Sequence, residues 1–209
     1  MSDPLCPPGR LILASASPRR RDLLSRADLV FDVEPSEVDE SLVGDPEPEA
    51  AARELAERKA LAIADRHRGE RVWVIGSDTV VAVGEGRALR LLGKPRDATE
   101  AGLMLRALSM TRHRVVTGVA VVDCAKAGEA GCRSAWERTW VHMRRITPEE
   151  VEAYVRSDEW RGKAGGYAIQ ENADAFVERL EEGGFDNVVG LPVELTLKLL
   201  TDSGAFQPS

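Results

Sequence analysis

Two periodicities alternate along this chain. Strand signals fall near residues 10–14, 30–34, 71–76, 79–83, 112–123, 134–145 and 174–180. The segments between them predict helices. Ser17 followed by Pro18 reads as an N-cap and a first helical residue. A second helix opens at Asp45-Pro46 and runs through an alanine-rich stretch to about residue 66. A third spans about residues 98–108, a fourth starts at Thr147-Pro-Glu-Glu150 with capping-box spacing, and the last covers about 192–202. Gly84-Glu-Gly86 predicts a hairpin loop. Strands and helices alternate early, whereas two long strands follow one another between 112 and 145. That order predicts an α/β fold with a mixed sheet flanked by helices.

Three positions break the pattern. Asp78 sits between the strand signals at 71–76 and 79–83, where an unpaired carboxylate is costly to bury. Lys59 shares an apolar stripe of the second helix with Ala52, Leu55, Ala56, Ala62 and Ile63. Such a lysine either snorkels to the edge or points its ammonium at a waiting negative charge. Finally, the first strand runs directly into Ser15-Ala-Ser17-Pro18-Arg19-Arg20-Arg21. The unpaired N–H groups and dipole of a helix start favour an anion, Ser15 and Ser17 add hydroxyl donors, and arginine matches phosphate in a bidentate way. The same residues also suit a capped surface helix with solvated arginines. Successive helical residues lie about 100° apart, so Arg19 and Arg20 are the candidates to face one ligand and Arg21 turns to solvent.

Composition narrows the function classes. A chain of 209 residues suits one α/β domain, expected at 10–203, between a disordered extension at 1–9 and a short tail at 204–209. No apolar run approaches the roughly 18–20 residues of a membrane helix, and the N-terminus lacks the pattern of a secretory signal. The three cysteines, Cys6, Cys124 and Cys132, form no C-x-x-C pair, which argues against a disulfide framework or zinc site and for a reducing, cytoplasmic setting. His67, His113 and His142 have no metal-ligand spacing and read as structural or surface residues. A net charge of −7 argues against non-specific nucleic-acid binding. An acidic protein that binds a polyphosphate must concentrate positive charge locally or recruit a divalent cation.

Several further residues are candidates in the same chemistry. Lys94 lies on the turn Leu92-Gly-Lys94-Pro95, which also fits a solvated lysine. Glu40 is in a loop where carboxylates are common, but paired with Asp78 it would hold a hard cation by oxygen ligation. The Gln170 amide both donates and accepts, which suits the edge of a pyrimidine base, or simply the neighbouring backbone. The glycines of Gly162-Lys-Ala-Gly165-Gly166 leave the backbone open to close approach by a ligand.

Taken in order, these segments resemble the Maf family of nucleotide pyrophosphatases. The elements are Leu13-Ala-Ser15-Ala-Ser-Pro-Arg19-Arg20, Val38-Asp-Glu40, Lys59-Ala60, Gly76-Ser-Asp78-Thr79-Val, Gly93-Lys94-Pro95, His113-Arg-Val-Val-Thr117-Gly118, Lys163-Ala-Gly165-Gly-Tyr-Ala-Ile-Gln170 and Asn187-Val-Val-Gly190-Leu-Pro192. The resemblance implies a curved mixed sheet with two lobes and a central cleft, similar to the inosine-triphosphate pyrophosphatases. It implies hydrolysis of a nucleoside triphosphate to the monophosphate and pyrophosphate, with Mg²⁺ or Mn²⁺ as cofactor. Asp78 matches the family's catalytic proton acceptor, and Ser15, Arg20, Glu40, Lys59 and Lys94 match its other active-site positions. Arg19, Thr79 and Gln170 match the branch that acts on dTTP and UTP, whereas relatives acting on 7-methylguanosine triphosphate carry a bulky aromatic and a glutamate at the first and last. Met110 and Glu171 stand where relatives more often have glycine, and Glu171 adds negative charge beside Gln170. A homodimer is an expectation from such folds, with no surface specified. Broad nucleotide clean-up, and a nucleotide-binding role in cell division, are the alternative readings.

Overall fold

The computed structural model describes residues 9–206 apart from Ala127, Glu171 and the Glu129 side chain. The N-terminal extension expected at 1–9 therefore lies outside the described residues except for Gly9, as do Cys6, Glu171 and residues 207–209. The elements run β1 (Arg10–Leu13), α1 (Pro18–Arg26), β2 (Asp32–Val33), α2 (Pro48–Ala64), β3 (Val72–Val83), β4 (Arg90–Leu92) and α3 (Ala98–Leu108). They continue with β5 (Arg112–Asp123), β6 (Cys132–Met143), α4 (Pro148–Arg156), β7 (Val177–Glu182), α5 (Phe185–Val189) and α6 (Val193–Asp202).

Seven strands form one sheet in the order β2-β1-β3-β5-β6-β7, with β4 paired to β3. β1 is parallel to both β2 and β3, whereas β4 and β7 are antiparallel to β3 and β6, so the sheet is mixed. Its order does not close on itself. The helix starts follow the expected local chemistry. The Ser17 side chain accepts from the Arg20 N–H with Pro18 in the first turn, and Thr147 and Glu150 form a reciprocal capping box.

The strand expected to break at Asp78 does not break. β3 is continuous and almost wholly buried, because each polar side chain in its middle has a partner in the fold. The strand expected at 174–180 instead begins as a 3-10 turn at Asn172–Phe176 and becomes extended only from Val177. β2 is two residues long rather than five, and α2 starts at Pro48 rather than near 45. β4 and α5 are short elements without a periodic signal of their own.

The chain forms two compact units. The first comprises the described residues of Met1–Asp78, Thr117–Glu137 and Gly190–Ser209, and the second comprises Thr79–Val116 and Arg138–Val189. In the first, α2 packs Ala56, Ala60, Ile63 and Ala64 against Ile12, Val72, Val74, Ala120 and Val122. Helix and strand backbones almost touch there. A Cβ at Gly76 would lie 2.3 Å from the Ala56 carbonyl oxygen, and one at Gly118 would lie 2.2 Å from that of Ala52. Both positions therefore exclude any side chain. The second unit has a larger-residue core, in which Leu105, Leu108, Val141, Val151, Tyr154, Trp160, Tyr167 and Phe176 join.

Candidate active site

The first unit holds six of the candidate residues, Ser15, Arg19, Arg20, Glu40, Lys59 and Asp78. β1 ends at Leu13, and the chain turns through Ser15 into α1. The buried Ser15 hydroxyl accepts from the Ser17 N–H at 3.2 Å and from Arg20 Nη1 at 3.3 Å. Arg20 Nε donates to the Gly190 carbonyl at 2.8 Å, and the Ser77 hydroxyl donates to that same oxygen at 2.9 Å. One carbonyl thus ties the turn before α1 to the middle of β3 and to the residues preceding α6. Arg21 is exposed beside Asp22, as its place on the helix predicted.

Lys59 resolves its two readings in favour of the charged one. Its side chain is only 8% exposed, and its ammonium contacts the carboxylates of both Asp78 and Glu40. The Glu40 contact is 2.8 Å. The approach of α2 over Gly76 explains the geometry, since Ala60 packs on Gly76 and the adjacent Lys59 meets Asp78 two residues farther along β3. A buried carboxylate and ammonium offset one another's desolvation, which neither residue would tolerate alone. Glu40 is held from outside. Asp39 accepts from the Ser41 N–H and hydroxyl at 2.8 and 2.6 Å, and Arg58 donates to the Ser41 carbonyl at 2.7 Å. Arg58 and Lys59, consecutive on α2, therefore fix the loop and receive its carboxylate.

The electrostatics are strongly local. Burial lowers the Arg20 pKa from the ordinary arginine value, Asp78 and Glu40 oppose that shift, and the neighbouring Arg19 adds to it. Arginine stays protonated in such surroundings, so a cation remains beside two carboxylates. Asp78 and Glu40 supply hard oxygen donors to one locus, which fits a divalent cation of the Mg²⁺ or Mn²⁺ type. Among the described residues no three His, Cys, Asp or Glu side chains cluster as a metal cage, so phosphate and water oxygens must complete such a shell.

Thr79, Lys94 and Gln170 belong to the second unit. Thr79 follows Asp78 on β3 and is partly buried, while Lys94 and Gln170 are exposed. The residues around Lys94 are fastened by the Gly165 N–H, which donates to the Gly93 carbonyl at 3.0 Å. The expected close approach at Gly165 is made to protein, since a Cβ there would lie 3.1 Å from Val81. Ser77, Arg58 and Gly190 carry no signal in the hydrophobic pattern, and their long-range contacts show what they hold together.

Comparison with known proteins gives the family. Residues 10–203 match the family model described as Maf-like protein. A dTTP/UTP pyrophosphatase of Rhodospirillum rubrum is 46% identical over 94% of this chain and 89% of the relative. A dTTP/UTP pyrophosphatase of Maricaulis maris is 44% identical over 98% and 93%. A solved nucleoside-triphosphatase, the dITP/XTP pyrophosphatase of Mycobacterium abscessus, is 20% identical over 71% of this chain and 93% of its own. Its TM-score to this chain is 0.38.

Proposed function

This chain belongs to the Maf-like protein family, and from that premise we propose that it hydrolyses dTTP and UTP to the nucleoside monophosphate and pyrophosphate. The observation that carries the proposal is the buried Lys59 ammonium held between Asp78 and Glu40 in the unit that also holds Ser15 and Arg20. Relatives of 40–46% identity named dTTP/UTP pyrophosphatases support the substrate class.

Asp78 orients the attacking water and accepts its proton, a role supported by its fixed place beside Lys59 in a buried strand. Lys59 and Arg20 stabilise the negative charge that develops on the phosphoryl oxygens, and Lys94 adds a further positive charge. Ser15 and the first turn of α1 offer hydroxyl and N–H donors to phosphate. Glu40, with Asp78, would hold the divalent cation, which when bound neutralises the triphosphate and polarises the phosphorus under attack. Gln170 reads the acceptor–donor–acceptor edge of uracil or thymine, flanked in role by Arg19 and Thr79. The protein acts as a cytoplasmic enzyme on free nucleotides.

The test is turnover on a panel of dTTP, UTP, CTP, GTP, ATP and 7-methylguanosine triphosphate with product identification. Monophosphate and pyrophosphate from dTTP and UTP are expected, abolished by EDTA and restored by Mg²⁺ or Mn²⁺. Orthophosphate and the nucleoside diphosphate as products would overturn the reaction assigned here, and equal rates on all bases would overturn the specificity.

A further inference from the structure

The segment that carries Gln170 is fastened within the second unit at several points. Besides the Gly165 contact, the Ala168 N–H donates to the Tyr154 hydroxyl at 3.3 Å. The Tyr167 hydroxyl lies 2.8 Å from His113 Nε2 on β5. Chemistry gives this last bond a direction. The Thr111 hydroxyl donates its proton to the Leu108 carbonyl at 2.7 Å, so it presents a lone pair to His113 Nδ1 at 3.4 Å. Nδ1 therefore bears the ring proton, and Nε2 accepts the Tyr167 O–H.

The pair is built to be permanent. His113 is fully buried, and burial holds its pKa down to about 3, so the ring is neutral at any working pH. Burial also pushes the Tyr167 phenol above its ordinary range. The rings meet edge to face, with centroids 5.6 Å apart and planes at 89°. Residues 167–169 are buried, while Gln170, three positions after Tyr167, is exposed.

We propose that the Tyr167–His113 hydrogen bond is a specificity-positioning device, fixing the backbone from which Gln170 reads the nucleotide base. The inference rests on the role given to Gln170 above. An amide rejects the wrong base only if it cannot shift to make other hydrogen bonds, because discrimination comes from polar groups left unmatched. Neither His113 nor Tyr167 needs to touch the nucleotide. They act through Gln170, and Thr111 extends the same chain of hydrogen bonds to the end of α3.

The test compares steady-state kinetics of Tyr167→Phe and Gln170→Glu on dTTP and GTP, with thermal melting as a check on folding. For Tyr167→Phe the dTTP-to-GTP ratio of kcat/KM should fall about tenfold, through a raised KM for dTTP, with kcat within about twofold of the parent. A purely structural role would lower both substrates together and leave the ratio in place. If Tyr167→Phe folds poorly, the double variant Tyr167→Phe/His113→Leu removes the stranded acceptor, and its ratio should remain low. A folded variant whose ratio matches the parent, while Gln170→Glu shifts it, overturns the positioning role alone. A ratio that Gln170→Glu does not move overturns the base-reading role and this inference with it.

Discussion

The two units differ in the charged side chains they bury. In the first, Lys59, Asp78 and Asp123 are buried together with neutral residues such as Ser15, Ser77, Thr117 and Thr196, around a core of alanine and β-branched residues. In the second, Lys163 apart, the buried polar residues among those described are the neutral His113, Thr139 and Asn187, in a core with four aromatic side chains. Asn187 donates to the Val115 carbonyl at 3.2 Å and to the Thr139 hydroxyl at 2.8 Å. The contrast agrees with the roles proposed for Asp78 and Gln170. Handling phosphates needs ions desolvated enough to act strongly, which in turn needs a helix pressed onto a sheet with only small residues between. Holding a base-reading amide needs rigidity without charge, and bulky side chains with satisfied neutral bonds provide it.

Four changes would break or sharpen this contrast. The largest effect is expected at Asp78→Asn, which keeps the shape of the first unit but removes the base. Turnover should fall about 10²–10⁴-fold with the fold intact, and near-normal turnover would remove Asp78 from the mechanism. Gly76→Ala comes next. Its Cβ would meet the Ala56 carbonyl and the Ala60 N–H at 2.3 and 2.7 Å, backbone atoms that cannot swing aside. Overpacking of this kind costs about 1–3 kcal/mol or more, so urea unfolding should show a loss of that size, and activity should fall as Lys59 is displaced from Asp78.

The third change concerns pH and the second unit. The His113 pKa lies near 3 when folded and near 6.5 in the ordinary state. The unfolded chain therefore binds the additional proton between those values, and stability is lost as pH falls through that window. His113→Gln should flatten the difference in urea midpoint between pH 7 and pH 4 relative to the parent; an unchanged difference would contradict the buried neutral ring. The smallest effect is expected at Met110, which is exposed and has φ 59°, in the left-handed region. Met110→Gly should raise the unfolding free energy by up to about 1 kcal/mol, as relief of strain outweighs the added freedom of the unfolded chain.

Legibility differed between the units in the same physical terms. The caps at Ser17 and Thr147 and the helix at 98–108 were readable because they depend on neighbours three or four residues away. Asp78 and Lys59 stood out as charges on apolar faces, although nothing local said that each was the other's partner. The continuity of β3 was not readable, because Ser77 and Asp78 are stabilised by Gly190 and Lys59, distant in sequence. In the second unit, His113 read as structural, but its bond to Tyr167 spans 54 residues and leaves no periodic trace. Arg58 was hidden for the opposite reason: a half-buried arginine on a helix looks ordinary until the Ser41 carbonyl is found beneath it.

The division of labour is tested most directly by base preference in two variants measured side by side. Asp78→Asn and Gln170→Glu are assayed for kcat/KM on dTTP and GTP under one set of conditions. Asp78→Asn should lose activity on both substrates by the same factor, leaving their ratio at the parent value. Gln170→Glu should lower the ratio while retaining most of the turnover. A ratio that moves with Asp78→Asn and stays fixed with Gln170→Glu would contradict the roles proposed for Asp78 in phosphate chemistry and for Gln170 in base reading.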